Sequence, residues 1–379
     1  ARNPPRGVAA AHSAAARAVA PTERGLPPPM LEAQLWRWPV TTLNPTKVQM
    51  VMLMGQQTLP ARGRRDAAAT LAVREAAMVE ADEGLVRQNV VEAVSLAYVG
   101  LVTARASLEV YARAVETLRQ IGDASLARYA SVSTGVGQQD VLQSMLALSR
   151  LEQDRIRARE DVRRAEVALA TLLGRDPASP VEPLSPPPAP QQAAAAALAA
   201  RAVESAPEIL QAQAALAAAD AAVALVDFDR KPEFVVRGGY MLEPGGAGAV
   251  TASVGVTWPH APWSRSRLDA VEAARRARRA VAQAAVVAAK QAARAAVHDA
   301  AARLDAARAR AAIVRTTVIP QARQTLDVAR VAYTSGQVDF LTVIDGQRLE
   351  IEAELEAIRA EGEVLLAAAA LDRASGGVR

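Results

Sequence analysis

The residues best suited to chemistry are few and scattered. Three histidines, His12, His260 and His298, stand far apart, without the i, i+4 spacing that sets two imidazoles on one metal. The absence of cysteine excludes disulfides, thiolate nucleophiles and cysteine metal sites, and leaves the compartment open. Met50, Met52 and Met54 alternate through one short apolar stretch, so a strand there would carry three thioethers on one face. A soft-metal path is one use of such a face. Methionine is also an ordinary apolar filler, and lipid-facing or core packing is the preferred reading. Carboxylates follow two glycine turns: Asp140 after Gly137 in "TGVGQQDVLQ", and Asp339 after Gly336 in "TSGQVDFLTVIDGQ", where Asp345 comes one turn and a half later. Asp140 and Asp339 read as helix N-caps whose side chains accept backbone amides. No Ser-His-Asp set, phosphate loop or histidine-carboxylate cluster occurs, so the chain is not read as an enzyme and no cofactor or metal site is assigned.

The two turns are one landmark used twice. Gly137 and Gly336 are 199 residues apart, and the same offset joins Asp140 to Asp339, Leu142 to Leu341 and, well away from the turns, Pro60 to Pro259. Two independent anchors at one offset indicate an internal duplication. The halves run 1–175 and 193–379, joined by the proline-rich connector 176–192.

Between proline and turn each half reads as long helix. Leu71, Met78 and Leu85 recur every seven residues, as do Val94, Leu101, Leu108 and Val115, then Val297, Leu304, Ala311 and Val318, and beyond the second turn Ile344, Ile351, Ile358 and Leu365. A seven-residue repeat predicts left-handed supercoiled packing. From Trp263 to Tyr333 only Pro320 interrupts, so a single helix of roughly 105 Å fits at 1.5 Å per residue. Strand-like pairs precede each long helix, at about 27–39 and 47–59 and again at 232–243 and 249–259. In the second pair Phe234, Val236, Tyr240 and Leu242 share a face, and Val250, Val254, Val256 and Trp258 another. In the first pair Val51 and Leu53 are as apolar as the methionines opposite them, and the alternation is poor. The fold class is therefore mainly α with a small β part.

The 379 residues are 51% hydrophobic but only 3% aromatic, which favours closely packed helices of small residues. The 44 basic and 40 acidic side chains alternate along the helices, read as solvated faces, and form no basic block for nucleic acid. No uncharged apolar run approaches the length of a membrane-spanning helix, and "ARNPPRGVAAAHSAAARAV" lacks the apolar core of a leader, which fits either a cytosolic chain or an exported one whose leader is missing. The strands have the length and pattern of transmembrane barrel strands, yet four are fewer than the roughly eight of the smallest barrel. In lipid no strand edge stays unpaired, so several chains must share one barrel.

The element order, the duplication, the opening "NPPRGVAAAHSAAARA", the passage "PEILQAQAALAAADAAVALVDFDRKPEFVVRGGYM" and above all "YTSGQVDFLTVIDGQRLEIEAELE" resemble outer membrane efflux proteins of the TolC type, over residues 3 to about 372. The resemblance implies a homotrimer closing one twelve-stranded barrel in the outer membrane, with a helical tunnel in the periplasm. It implies a passive exit duct of a tripartite system, partnered by a periplasmic adaptor protein and an inner-membrane pump. Gly137 and Gly336 would then lie at the periplasmic tips, and Asp345 on one of the family's two gate aspartates, with Thr342 at the other. "QQTLPARGRRDAA" is similar to a passage of the heavy-metal efflux branch, which sets metal cations slightly above small toxic molecules as cargo.

Trp36, Trp38, Tyr240 and Trp258 stand near strand ends, where an interfacial aromatic girdle is one of two equal readings; Trp263 opens the second long helix at the same boundary. Arg62, Arg64 and Arg65 follow the second strand, lining the lumen or facing the periplasm. The competing class is a soluble coiled-coil scaffold or adaptor whose strands form a small covered sheet.

Overall fold

A computed structural model describes residues 4–37, 48–130, 138–179, 181, 195–243 and 246–377. In chain order these form α1 (Pro4–Arg24), β1 (Met30–Trp36), β2 (Met50–Leu59), α2 (Arg64–Ala130), α3 (Gln138–Leu172), α4 (Ala195–Ser205), α5 (Pro207–Asp229), β3 (Phe234–Leu242), β4 (Ala249–Val256), α6 (Arg265–Ile313), α7 (Ile319–Thr334) and α8 (Phe340–Ala374). Both strand pairs are followed by a long helix. The long helix expected from Trp263 to Tyr333 is interrupted by a π turn, Val314–Val318, between α6 and α7. Pro320 explains the turn: it lacks an amide proton and its ring crowds the preceding turn, and a wider loop of backbone absorbs both defects without ending the helix. Gly137, Trp38 and most of the connector 176–192 lie outside the described residues.

The strands are shorter than expected at the ends where proline intervenes. Pro27, Pro28 and Pro29 precede β1, and Pro259 follows β4; none can donate to a ladder. The ladder still runs one step past Val256, where the Thr257 amide donates to the Glu233 carbonyl at 2.9 Å.

Two compact units emerge, each built from both halves of the sequence. One comprises Val8–Gly84 and Pro207–Lys290 and holds all four strands. At its corner between β2 and α2, Gly63 has φ 86°, and the ring of Phe228 lies where a Cβ would sit, 2.8 Å away. A side chain there is excluded twice, by backbone conformation and by space. Next to it Arg64 reaches Asp229 at 3.3 Å and Glu233 at 3.5 Å. Arg230 is forked between Asp269 (2.8 Å) and Glu272 (2.6 Å), and these hydrogen bonds, Asp269 first, hold its guanidinium pKa above the ordinary value.

The other unit comprises Ala1–Gly7, Leu85–Ala206 and Gln291–Arg379. Val297, Leu304, Leu101 and Val115 are buried as the heptads require. Along α8, however, the isoleucine row is only half-buried, and the buried seam consists of Gly346, Ala353 and Ala360, seven residues apart, beside Leu355 and Gly362. Small side chains let the helix backbones approach: a Cβ on Gly346 would stand 3.2 Å from Leu326 Cα, and one on Gly362 2.7 Å from Thr103 Cγ2. Burial belongs to the glycines and alanines because a chain with few aromatics fills its core by closing distance rather than by adding bulk.

The charged side chains keep to solvated faces, as expected, and many of them also pair there. Arginines bridge helices: Arg105 to Glu166 at 2.8 Å, Arg113 and Arg323 both to Glu354 at 3.0 Å, Arg310 to Glu363 at 2.8 Å and Arg373 to Glu92 at 2.7 Å. Each such half-exposed pair contributes about 0–1 kcal/mol. Their larger effect is to fix which helix turn faces which, as flanking charges do in coiled coils. Windows within Arg64–Asp123 and Ala195–Asp229, each with no more than two charged side chains, are apolar enough by length and composition to cross a membrane, although neither helix is free of charge.

Gly346→Val is expected to cost about 1–3 kcal/mol by overpacking the α7–α8 seam, read as a lower midpoint in thermal melting followed by circular dichroism. An unchanged midpoint would show that the seam is looser than the Leu326 contact implies.

Candidate functional site

The four strands form one antiparallel sheet in the order β1-β2-β3-β4. Alternate residues of a strand point to opposite faces, so the register decides what each face presents. Leu53 pairs with Ala33 on one side and Tyr240 on the other, and Tyr240 pairs with Val250; Val51 joins Leu35 to Leu242, and Leu59, Phe234 and Val256 complete the row. This face is apolar except at Gln57, whose Nε2 donates to the carbonyls of Pro27 (2.9 Å) and Thr58 (3.0 Å), and it is exposed, with Leu31 at 85% and Val250 at 81%. Glycine and alanine fill its middle, at Gly55, Gly238 and Ala252.

The opposite face is of another kind. It carries Glu32, Gln34, Gln56, Thr58, Arg237, Thr251 and Ser253, interleaved with methionines. Arg237 Nε donates to Gln56 Oε1 at 2.7 Å, and Gln34 Nε2 donates to Glu32 Oε1 at 2.9 Å. A sheet with one apolar and one polar face separates two solvents: hydrocarbon on one side and water on the other. The outer edges of β1 and β4 pair with no other described strand.

The second element of interest is the turn between α7 and α8. Gly336 has φ 75°, its amide donates to the Tyr333 carbonyl at 3.1 Å, and the Gln337 amide donates to the Ala332 carbonyl at 2.9 Å. That double closure is the Schellman pattern, which needs a left-handed residue and hence glycine. It answers why an alanine-rich chain stops for glycine here. Phe340 is fully buried against Tyr333, ring centroids 5.4 Å apart, and Leu326, Ala329 and Val343 close the packing. With that face of α8 committed, Thr342 and Asp345 fall on the exposed face, together with Leu341, Arg348 and Leu349. Asp339 occupies the backbone N-cap position with extended φ and ψ, but its side chain makes no capping hydrogen bond. Asp140 sits in the first turn of α3. The capping hydrogen bond expected of the Asp339 side chain is therefore absent.

A family model described as outer membrane efflux protein matches residues 8–175 and 198–377. The chain belongs to the outer membrane efflux protein family. The fold agrees with solved structures. A membrane protein from Pseudomonas aeruginosa superposes with TM-score 0.80 at 22% identity, over 99% of this chain and 90% of that one. The outer membrane protein VceC from Vibrio cholerae gives 0.77 at 20% identity, over 99% and 93%. The MtrE outer membrane channel of Neisseria gonorrhoeae, in its open state, gives 0.78 at 19%, over 99% and 86%. No curated protein matches the chain by sequence. The efflux protein is thus an outer membrane channel with a periplasmic helical part and not an enzyme, and the soluble scaffold is set aside. Channels of this family are trimers that work with periplasmic adaptors and inner-membrane pumps.

Of the residues singled out for the efflux protein's girdle, Tyr240 lies on the apolar face, its hydroxyl over Gly248. Trp258 follows β4, is exposed and meets Trp263 edge-on with centroids 6.2 Å apart. Trp36 does not join them: it pairs with Met50 on the polar face, where its Nε1 donates to Gln34 at 3.1 Å. Met50, Met52 and Met54 are likewise on the polar face, half-buried, which corrects the lipid-facing reading. Val51 and Leu53 are the membrane side of β2, a choice that alternation within one strand cannot make and pairing with Tyr240 does. Among Arg62, Arg64 and Arg65, Arg64 is held by Asp229 and Glu233, and Arg65 donates to the Arg24 carbonyl at 3.1 Å. Among the described residues no three His, Asp or Glu side chains gather as a metal site.

Neighbouring positions of β4 test the faces. Val254→Arg, on the apolar face, is expected to cost about 2–4 kcal/mol if it lies at mid-membrane and to abolish recovery of assembled channel from outer membranes. Ser253→Arg is expected to leave recovery near that of the parent. Equal recovery of the two would invert or void the assignment.

Proposed function

We propose that three copies of this chain close a twelve-stranded barrel and act as the passive exit duct of a tripartite efflux system, receiving cargo through a periplasmic adaptor from an inner-membrane pump. The observation that carries this reading is the sheet itself: one face apolar but for Gln57, one polar face, and outer edges that pair with no described strand. Three copies related by a threefold axis supply each edge with a neighbour and turn the polar faces inward around water.

Asp345 is proposed as the gate residue at the α7–α8 tip, with Thr342 one turn before it. The exposed placement of both supports a role toward neighbouring copies rather than within the chain. Three carboxylates converge in a trimer where a second ring is replaced by threonine, so the gate favours cations with half the charge that two aspartates per chain would give. Gly336 and Asp339 are proposed to shape the tip that the adaptor engages, with Gly137 and Asp140 in the equivalent turn of the first half. The cargo class is proposed as heavy-metal cations or small toxic molecules.

Asp345→Ala, measured in planar bilayers, is expected to raise single-channel conductance and move cation preference toward neutrality, because it removes the carboxylates that hold partners across the tip and attract cations to it. Unchanged conductance and selectivity would exclude Asp345 from the gate. The duct itself fails if the purified protein conducts no ions at all.

A further inference from the structure

Five of the seven methionines in the chain, Met30, Met50, Met52, Met54 and Met241, fall on the polar face of the sheet, and none falls on the apolar face. If methionine served here as apolar filler, the membrane face would be the place for it, and that face uses leucine, valine, phenylalanine and tyrosine instead. A water-lined wall gains nothing in solvation from a hydrocarbon side chain. What distinguishes methionine from leucine at equal bulk is its polarisable sulfur.

The register brings three of these side chains within reach of one another. Met52 and Met241 are direct cross-strand partners, which sets their Cβ atoms about 4.5–5.5 Å apart. Met54 is diagonal to Met241 at about 7–8 Å, still within the span of long side chains. Its own partner is Gly239, and the missing side chain is used: a Cβ on Gly239 would lie 3.0 Å from Met54 Cγ and 3.1 Å from Thr251 Cγ2. Glycine therefore clears the floor over which Met54 lies. Glu32, paired with Met54 on the other side, adds a carboxylate beside the group.

We propose that Met52, Met54 and Met241 form a thioether site for a soft monovalent cation, Ag(I) or Cu(I), on the inner wall of the barrel. Neutral thioether ligands select soft d¹⁰ cations over Na⁺, K⁺ and Mg²⁺, which prefer oxygen. Being uncharged, they hold the ion weakly enough to release it, which a conducting wall requires. The site is complete within one chain, so a trimer carries three, and Met50 and Met30 extend the band along the same face. The inference rests on the channel reading above and names the cargo class of its barrel.

The test uses the whole trimer in planar bilayers in potassium nitrate, with silver nitrate as probe, and isothermal titration of silver into the detergent-extracted protein. The triple variant Met52→Leu, Met54→Leu, Met241→Leu keeps bulk and removes sulfur. The parent is expected to bind one Ag⁺ per chain and to show a reversible silver-dependent drop in potassium current. The triple variant is expected to carry the parent potassium current with silver affinity at least tenfold weaker. Met78→Leu and Met145→Leu, off the sheet, are expected to behave as the parent. A silver response that survives the triple substitution, or moves with Met78 or Met145, overturns the site, as does a parent that ignores silver while the triple variant loses retention of an apolar dye. Absence of potassium current in the parent would instead overturn the channel reading.

Discussion

A sheet in hydrocarbon cannot end. Every amide and carbonyl on an open edge that faces lipid lacks water to bond with, at several kcal/mol per group. This chain supplies four strands with an apolar face running from β1 to β4 and outer edges that no other described strand pairs, so one copy is incomplete by construction. Oligomerisation follows from hydrogen bonding rather than from affinity between surfaces. The polar face then encloses water, and the sorting of glutamate, glutamine, arginine and threonine to that side follows from the same alternation that sorts leucine and valine to the other.

The helical segments meet a different demand with different means. A chain with so few aromatic residues cannot stabilise long helices by burying large side chains. It uses glycine and alanine at the closest approaches, Gly346 against Leu326 and Gly362 against Thr103, and arginine-carboxylate pairs to fix the pairing of turns. Breaks in the pattern have local causes: Pro320 widens the helix to a π turn, and Gly336 closes α7 in the left-handed conformation. Neither break ends the protein's helical course, and the second redirects it so that Asp345 emerges on the uncommitted side of α8.

The long helices, the glycine turn at Gly336 and the existence of four strands were legible in the sequence because each depends on neighbours close along the chain. What was not legible depends on pairing. Alternation in "MVMLM" allows either face to be the membrane side, and only the Leu53–Tyr240 and Met52–Met241 partnerships decide it. The same register moves Trp36 off the girdle. The seam of α8 is a related case: a heptad of isoleucines stands out by size, whereas within one chain the most buried positions of that repeat are the glycine and alanines two residues on, whose value lies in how near the partner backbone comes. Asp339 had the residue type and position of a cap, but side-chain orientation is not written in spacing.

The claim on which everything else depends is that the sheet is completed by copies of the same chain. Native mass spectrometry of the detergent-extracted protein tests it most directly. The account predicts a particle of three 39.8 kDa chains that leaves solution when detergent is withdrawn. A monomer or dimer that stays soluble without detergent would mean that the apolar row from Leu31 to Val250 is covered within the chain, and would contradict it.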